Sequence, residues 1–190
     1  MRIGFSVEGS TDRAFICGLK DRWCPAAILE EGAFRGTTAL SRRRECKRIC
    51  EEFLLKGVDV MIFLTDANDG PWREVRDEER AKFPADHLFQ CVHGVPDRNI
   101  ECWICAAPEW LAEQLGVDAS PFRDADPKGA FESAMHITRD DKKEGRIAEL
   151  IAIAPMGSWL ERSRSFEDFY DSLRAFSLRL GCEIENLRDD

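Results

Sequence analysis

The residues Val58, Val60, Met61, Ile62, Phe63 and Leu64 form a nearly continuous apolar run. A strand with one solvated face alternates apolar and polar residues; a run without that alternation reads as a strand covered on both faces, the signature of a parallel sheet. The residues on either side repeat the theme. Ile3, Phe5 and Val7 alternate as a first strand, followed by an amphipathic helix over Thr11 to Trp23 with Phe15, Ile16, Leu19 and Trp23 on one face. Ala26 to Leu29 reads as a short strand, Gly32 to Thr38 as a loop, and Leu40 to Lys56 as a helix stopped by Gly57. After the central run come a charged helix from Pro71 and Trp72 to Lys82, a strand over His87 to Val92 and a helix from Ile100. Alternation of strand and helix predicts an α/β core with a mainly parallel sheet over residues 1–115. From Asp118 the chain turns polar and then only helical patterns remain, over Lys128 to Met135, Arg139 to Ala154 and Ser165 to Leu180. Residues 116–190 are therefore expected as a helical C-terminal extension packed on the core.

Parallel strands place their carboxyl ends on one edge, where open α/β sheets bind ligands. Glu8 stands at the end of the first strand. Gly9 allows a sharp turn, Ser10 or Thr11 can cap the next helix, and Asp12 suits the positive end of its dipole. Thr65-Asp66-Ala67-Asn68-Asp69-Gly70 follows the central strand, and Glu101 opens the helix after the fourth. These carboxylates are expected to converge, with Glu8 and Asp66 within about 10 Å of each other if they share an ion. Packed carboxylates repel, and a divalent cation neutralises them best. Oxygen ligands without companion histidines point to Mg²⁺ or Mn²⁺ rather than zinc. The dipole of the first helix is expected to keep Glu8 anionic at neutral pH.

Charge narrows the choice of partners. The formal net charge of −9 argues against sequence-independent coating of nucleic acid, which needs a broad basic surface. The dense basic cluster is Arg42, Arg43, Arg44, Lys47 and Arg48; it reads either as a solvated helix face or as a phosphate contact. The apolar runs are too short to span a bilayer and the first residues form a strand pattern, so no membrane and a cytoplasmic location are expected. Eight cysteines without a secretory signal are expected as thiols, with no disulfide. Cys46 and Cys50, like Cys102 and Cys105, fall on predicted helices rather than the tight turns of a zinc ribbon, so no zinc is expected. His87, His93 and His136 show no ligand spacing.

Val7-Glu8-Gly9-Ser10-Thr11-Asp12 followed by Leu64-Thr65-Asp66-Ala67-Asn68-Asp69 resembles the TOPRIM superfamily, whose signature is a Glu after the first strand and an Asp-x-Asp after a later one. The stretch Asn99-Ile100-Glu101-Cys102-Trp103 looks like the further Glu element of its small bacterial members, the OLD-family nuclease domains and their stand-alone relatives. The resemblance covers residues 1–110, and more weakly the helical tail with Lys142-Lys143 and Ser165 to Phe169. It implies a Rossmannoid core and metal-dependent cleavage of nucleic acid, DNA or RNA, as effector of a bacterial defence system beside an ABC-type ATPase partner. Glu8 and Asp66 would be catalytic. Glu8, Asp66, Asp69, Glu101 and Asn68 would be metal ligands, and Arg13, Arg43, Arg44, Arg48 and Lys143 would contact nucleic acid. Asn68 departs from the pattern by replacing the second aspartate. That departure keeps open two alternatives, a TOPRIM-like module that binds nucleic acid or a nucleotide without cutting, and a partner-binding subunit.

Overall fold

A computed structural model describes residues 1–32, 43–135, 140–180, 182 and 184–188. Among the described residues four parallel strands form one sheet in the order β2-β1-β3-β4. They are β1 (Arg2–Ser6), β2 (Ile28–Glu31), β3 (Val60–Leu64) and β4 (Cys91–Gly94). The chain is thus α/β with an all-parallel sheet, as the alternation of patterns implies. Every residue of β3 is buried, which is why its apolar run lacks alternation. In register, Ile3 lies opposite Val60 and Met61 opposite Cys91.

Side chains leave β3 on two faces. Val60, Ile62 and Leu64 enter one apolar cluster, while Met61 and Phe63 enter another. The second, smaller cluster is closed by Cys46, Ile49, Cys50 and Phe53 of α2 (Arg43–Leu55), together with Phe83. The first cluster takes α1 (Ser10–Trp23), α4 (Ile100–Ile104) and the later helices α6 (Lys128–Met135), α7 (Asp140–Ile153), α8 (Met156–Arg162) and α9 (Arg164–Leu180). The helical residues after 116 therefore complete the same core as the sheet. Trp103 marks the join. Its ring stands 5.1 Å from that of Phe169 and 5.5 Å from that of Phe166, and its Nε1–H donates to Ser165 Oγ at 2.7 Å. Aromatic pairs of this kind add to area burial, and a buried indole N–H needs a partner.

Prolines explain several boundary shifts. Cys24 and Pro25 turn the chain, with the Ala27 N–H bonded to the Cys24 carbonyl, so β2 begins at Ile28 rather than Ala26. Pro84 starts a 3₁₀ turn over Ala85–Gln90, so the expected strand at His87 begins only at Cys91. Pro108 occupies the first turn of a separate helix α5 (Pro108–Leu115), because it has no N–H to continue α4. Helix α8 was not anticipated; it follows Pro155 and buries Met156, Trp159 and Leu160. The charged helix is α3 (Trp72–Lys82), as expected. The expected loop beyond residue 32, the start of the basic helix at residues 40–42, Arg139 and His136 lie outside the described residues.

The expectation that no cysteines pair is corrected. Cys24 and Cys182 form a disulfide, with their Cα atoms 5.6 Å apart. The folded chain brings the end of α1 against the segment after α9, which sequence separation conceals. Among the described residues no helix is long and apolar enough to cross a membrane.

Helices α1 and α7 meet at Gly18. A Cβ there would lie 2.5 Å from Ile151 Cβ and 2.6 Å from the Ala148 carbonyl oxygen. Helix propensity alone would make Gly18→Ala stabilising by about 1 kcal/mol. A backbone carbonyl cannot swing aside as a flexible side chain can, so overpacking outweighs that gain. Gly18→Ala is expected to cost about 1–3 kcal/mol and to lower Tm by about 2–12 °C. A melting curve showing an unchanged or higher Tm would contradict the close approach.

Candidate active site

The carboxyl edge of the sheet holds a pocket of about 320 Å³, and its walls carry both signs of charge. Glu8, Asp12, Asp66, Glu101 and Glu132 line it together with Lys128 and Lys143. Glu132 comes from α6, and the other carboxylates arrive by short routes from the sheet. Glu8 lies two residues past β1 and Asp66 two past β3, and these strands are hydrogen-bonded neighbours. Glu101 sits in the first turn of α4, which follows β4. The structure thus brings together Glu8, Asp66, Glu101 and Lys143, four of the residues expected in the site.

Asp12 is the acidic member that sequence reasoning read only as a helix-dipole residue. Gly9, not Ser10 or Thr11, is the N-cap of α1, and the Gly9 N–H donates to Asp12 Oδ2 at 2.8 Å. Asp12 is only 6% exposed. Its position three residues past the cap is the signal that could have identified it: there a carboxylate reaches back towards the turn that carries Glu8.

The electrostatics are those of carboxylates held too close and too dry. Burial, then the charge of Asp66, pushes Asp12 up to about 8, despite the favourable Gly9 N–H. Glu8 rises to about 7, through burial first and then Asp66 and Glu79. Asp66 rises to about 6 through burial and Glu101, with Lys128 and the Ile100 N–H opposing. Glu101, 3% exposed, is also raised by burial. The expectation that the helix dipole keeps Glu8 fully anionic at neutral pH is therefore corrected. A dipole contributes about 0.3–1 kcal/mol at an exposed terminus, whereas desolvation and neighbouring charge move a pKa by several units.

Two expected ligands stand elsewhere. Asp69 is 89% exposed at its side chain and accepts a hydrogen bond from Arg98 Nη2 at 2.6 Å. Asn68 is exposed and has a left-handed backbone, φ 53°. Its side-chain amide donates to the Asp66 carbonyl at 3.2 Å, and its own N–H bonds the Arg98 carbonyl. Asparagine is one of the few non-glycine residues that tolerates this conformation. Asn68 shapes the turn that presents Asp66, and neither it nor Asp69 lines the pocket.

The expected basic contacts divide similarly. Arg13 binds Glu31 at 2.8 Å and Glu144 at 3.6 Å, tying α1 to β2 and α7 beside the pocket. Arg44 and Arg48 are exposed on α2, whose buried residues occupy the sheet face opposite α1, and neither lines the pocket. The Arg43 side chain lies outside the described residues. Cys46 and Cys50 are buried in the smaller cluster beside Cys91.

Among the described residues no three acidic, histidine or cysteine side chains stand as a ready-made metal cage. Mg²⁺ usually takes one or two carboxylates and keeps several waters, so it does not need such a cage. The oxygen-only acidic set and the raised pKa values fit such a cation, since binding it removes the repulsion. No protein-family model, curated protein or solved structure matches this chain.

The pH dependence follows in sign from these shifts. A carboxyl whose pKa is raised by folding holds its proton more tightly in the folded state. Its stabilisation is complete below the unfolded value near 4 and is lost as pH rises through the folded values of about 6 to 8. Asp12→Asn removes one buried charge while keeping an acceptor for the Gly9 N–H. It is expected to raise Tm at pH 8 by about 2–8 °C, or 1–2 kcal/mol, with the gain shrinking towards pH 4. A loss of stability at pH 8 would show that Asp12 is not repelled by its neighbours.

Proposed function

We propose that this chain is a Mg²⁺- or Mn²⁺-dependent phosphodiesterase acting on nucleic acid, with a TOPRIM-like core. The observation that carries this reading is the convergence of Glu8, Asp12, Asp66 and Glu101 on one pocket at the carboxyl edge of a parallel sheet, with lysines in the same wall. Asp66 would hold the cation as principal ligand, Asp12 and Glu101 would support it, and Glu8 would stand beside it as the proton acceptor. When bound, the cation neutralises phosphate charge and lowers the pKa of water. Glu8, raised to about 7 in the free site, is matched to accept a proton near neutral pH. Lys143 would steady phosphate oxygens opposite the acidic floor. Asp69 has no part in this arrangement, because Arg98 holds it at the surface. The TOPRIM-like reading extends to an effector role beside an ABC-type ATPase that delivers the substrate.

Metal-dependent cleavage of single- and double-stranded substrates, with and without any ATPase found encoded beside the chain, tests the proposal. Chelation should abolish activity. Glu8→Gln should reduce it by about 10²–10⁴, Asp66→Ala should remove both activity and Mn²⁺ binding by calorimetry, and Asp69→Ala should leave activity within about twofold. Full metal-dependent activity in Glu8→Gln would overturn the assignment, and absence of cation binding by the wild type would overturn the metal site itself.

A further inference from the structure

Lys128 and Lys143 come from the helical half of the chain, yet both line the pocket whose acids, Glu132 of α6 apart, come from the sheet edge. Lys128 opens α6 immediately after Pro127, and Lys143 lies on α7. Among the described residues neither side chain is in an ion pair. That contrasts with Arg13, which is engaged by Glu31 and Glu144 next to the same pocket. Lys128 also acts electrostatically on Glu8, Asp66 and Glu101, so its charge is directed at the place where a substrate phosphate would meet the acidic floor.

Three further observations limit what that phosphate belongs to. At about 320 Å³ the pocket is at the small end of the range for ligand sites, about 300–1,000 Å³. Its floor is recessed, with Asp12 at 6% and Glu101 at 3% exposure. Among the described residues no aromatic side chain lines it to stack a base, and its lining carries two lysines beside five carboxylates in a chain of net charge −9. The exposed arginines of α2 belong to the opposite face of the sheet. A duplex interior, with a fixed backbone and many phosphates, needs a long basic track; a free nucleotide or a strand end needs one small cationic seat and can reach a recessed floor.

We propose that the pocket takes a nucleotide-sized phosphate ester, free or at the end of a strand, seated on Lys128 and Lys143, rather than the interior of a duplex. This rests on the phosphodiesterase reading for its location, but binding tests it apart from turnover. The probes are a 5′-phosphorylated thymidine trinucleotide, thymidine 5′-monophosphate, and a duplex of about two helical turns (~21 base pairs) closed at both ends by hairpin loops. Each is titrated against the full chain with Ca²⁺ in place of the reactive cation.

The trinucleotide or the monophosphate should bind at least about tenfold more tightly than the closed duplex. Two lysines on a single strand predict a log–log salt slope of about −1.4. Lys128→Met should weaken trinucleotide binding by about tenfold or more while the protein stays folded by circular dichroism, Lys128→Arg should recover most of it, and Arg44→Ala with Arg48→Ala should leave binding unchanged. A trinucleotide preferred to the monophosphate identifies a strand end as the ligand; equal affinity identifies a free nucleotide. Closed duplex bound as tightly as either, or Lys128→Met binding like wild type, would overturn the inference. Tight trinucleotide binding without cleavage of any substrate would instead sink the phosphodiesterase reading and leave this one standing.

Discussion

The parallel hydrogen-bonded pairing of β1 with β3 is the constraint on which the rest depends. It sets Ile3 beside Val60 and Ser6 beside Phe63, and both strands then release their chains at the same edge. Two residues later each chain presents a carboxylate, Glu8 on one and Asp66 on the other. Neither side chain would be placed there by local preference alone. The pairing is itself held by burial on both sides: α1 and the later helices cover one face, and α2 with Phe83 covers the other. Hydrophobic packing thus brings like charges together against their electrostatic preference.

Titration has two opposing consequences in this fold. The site carboxyls are raised, so the protein loses their contribution as pH climbs from 4 towards 8. His93 works the other way. It is buried between Phe63 and Phe83, its Nε2 has no hydrogen-bond partner among the described residues, and burial first, then Arg80 and Arg76, lower it to about 3. A histidine kept neutral by folding gives stability that is present above its unfolded value near 6.5 and lost as pH falls towards 3. One end of β4 therefore disfavours acid, while the carboxyl edge of the sheet disfavours base.

Much of this was legible because the sheet is simple. The two central strands β1 and β3 carry apolar patterns, each followed two residues later by a carboxylate, and Glu101 opens the helix after β4, so Glu8, Asp66 and Glu101 could be named together. Asp12 was missed because its helix-terminal position supplied a sufficient reason for an aspartate. Asn68 was read by its lost charge, when its backbone conformation explains it better. Lys128 follows a polar, proline-bearing stretch with no periodicity, and nothing local ties it to carboxylates at positions 8 to 101. The same is true of the Cys24–Cys182 bond, whose partners are 158 residues apart. Local pattern reveals what a short segment does by itself; it does not reveal which distant segment closes over it.

Lys128 and Lys143 come from one half of the chain and the carboxylates of the sheet edge from the other. The two contributions meet only in the folded protein, so they are free to change at different rates. Substitution of Lys128 or Lys143 can alter what is admitted without removing the acids after the strands, whereas lengthening or shortening the helices would disturb the core they share with the sheet. A change in the turns after β1 or β3 alters the floor itself. In a lineage of such proteins, ligand preference would drift with the helices while the acidic residues after the strands stayed in place.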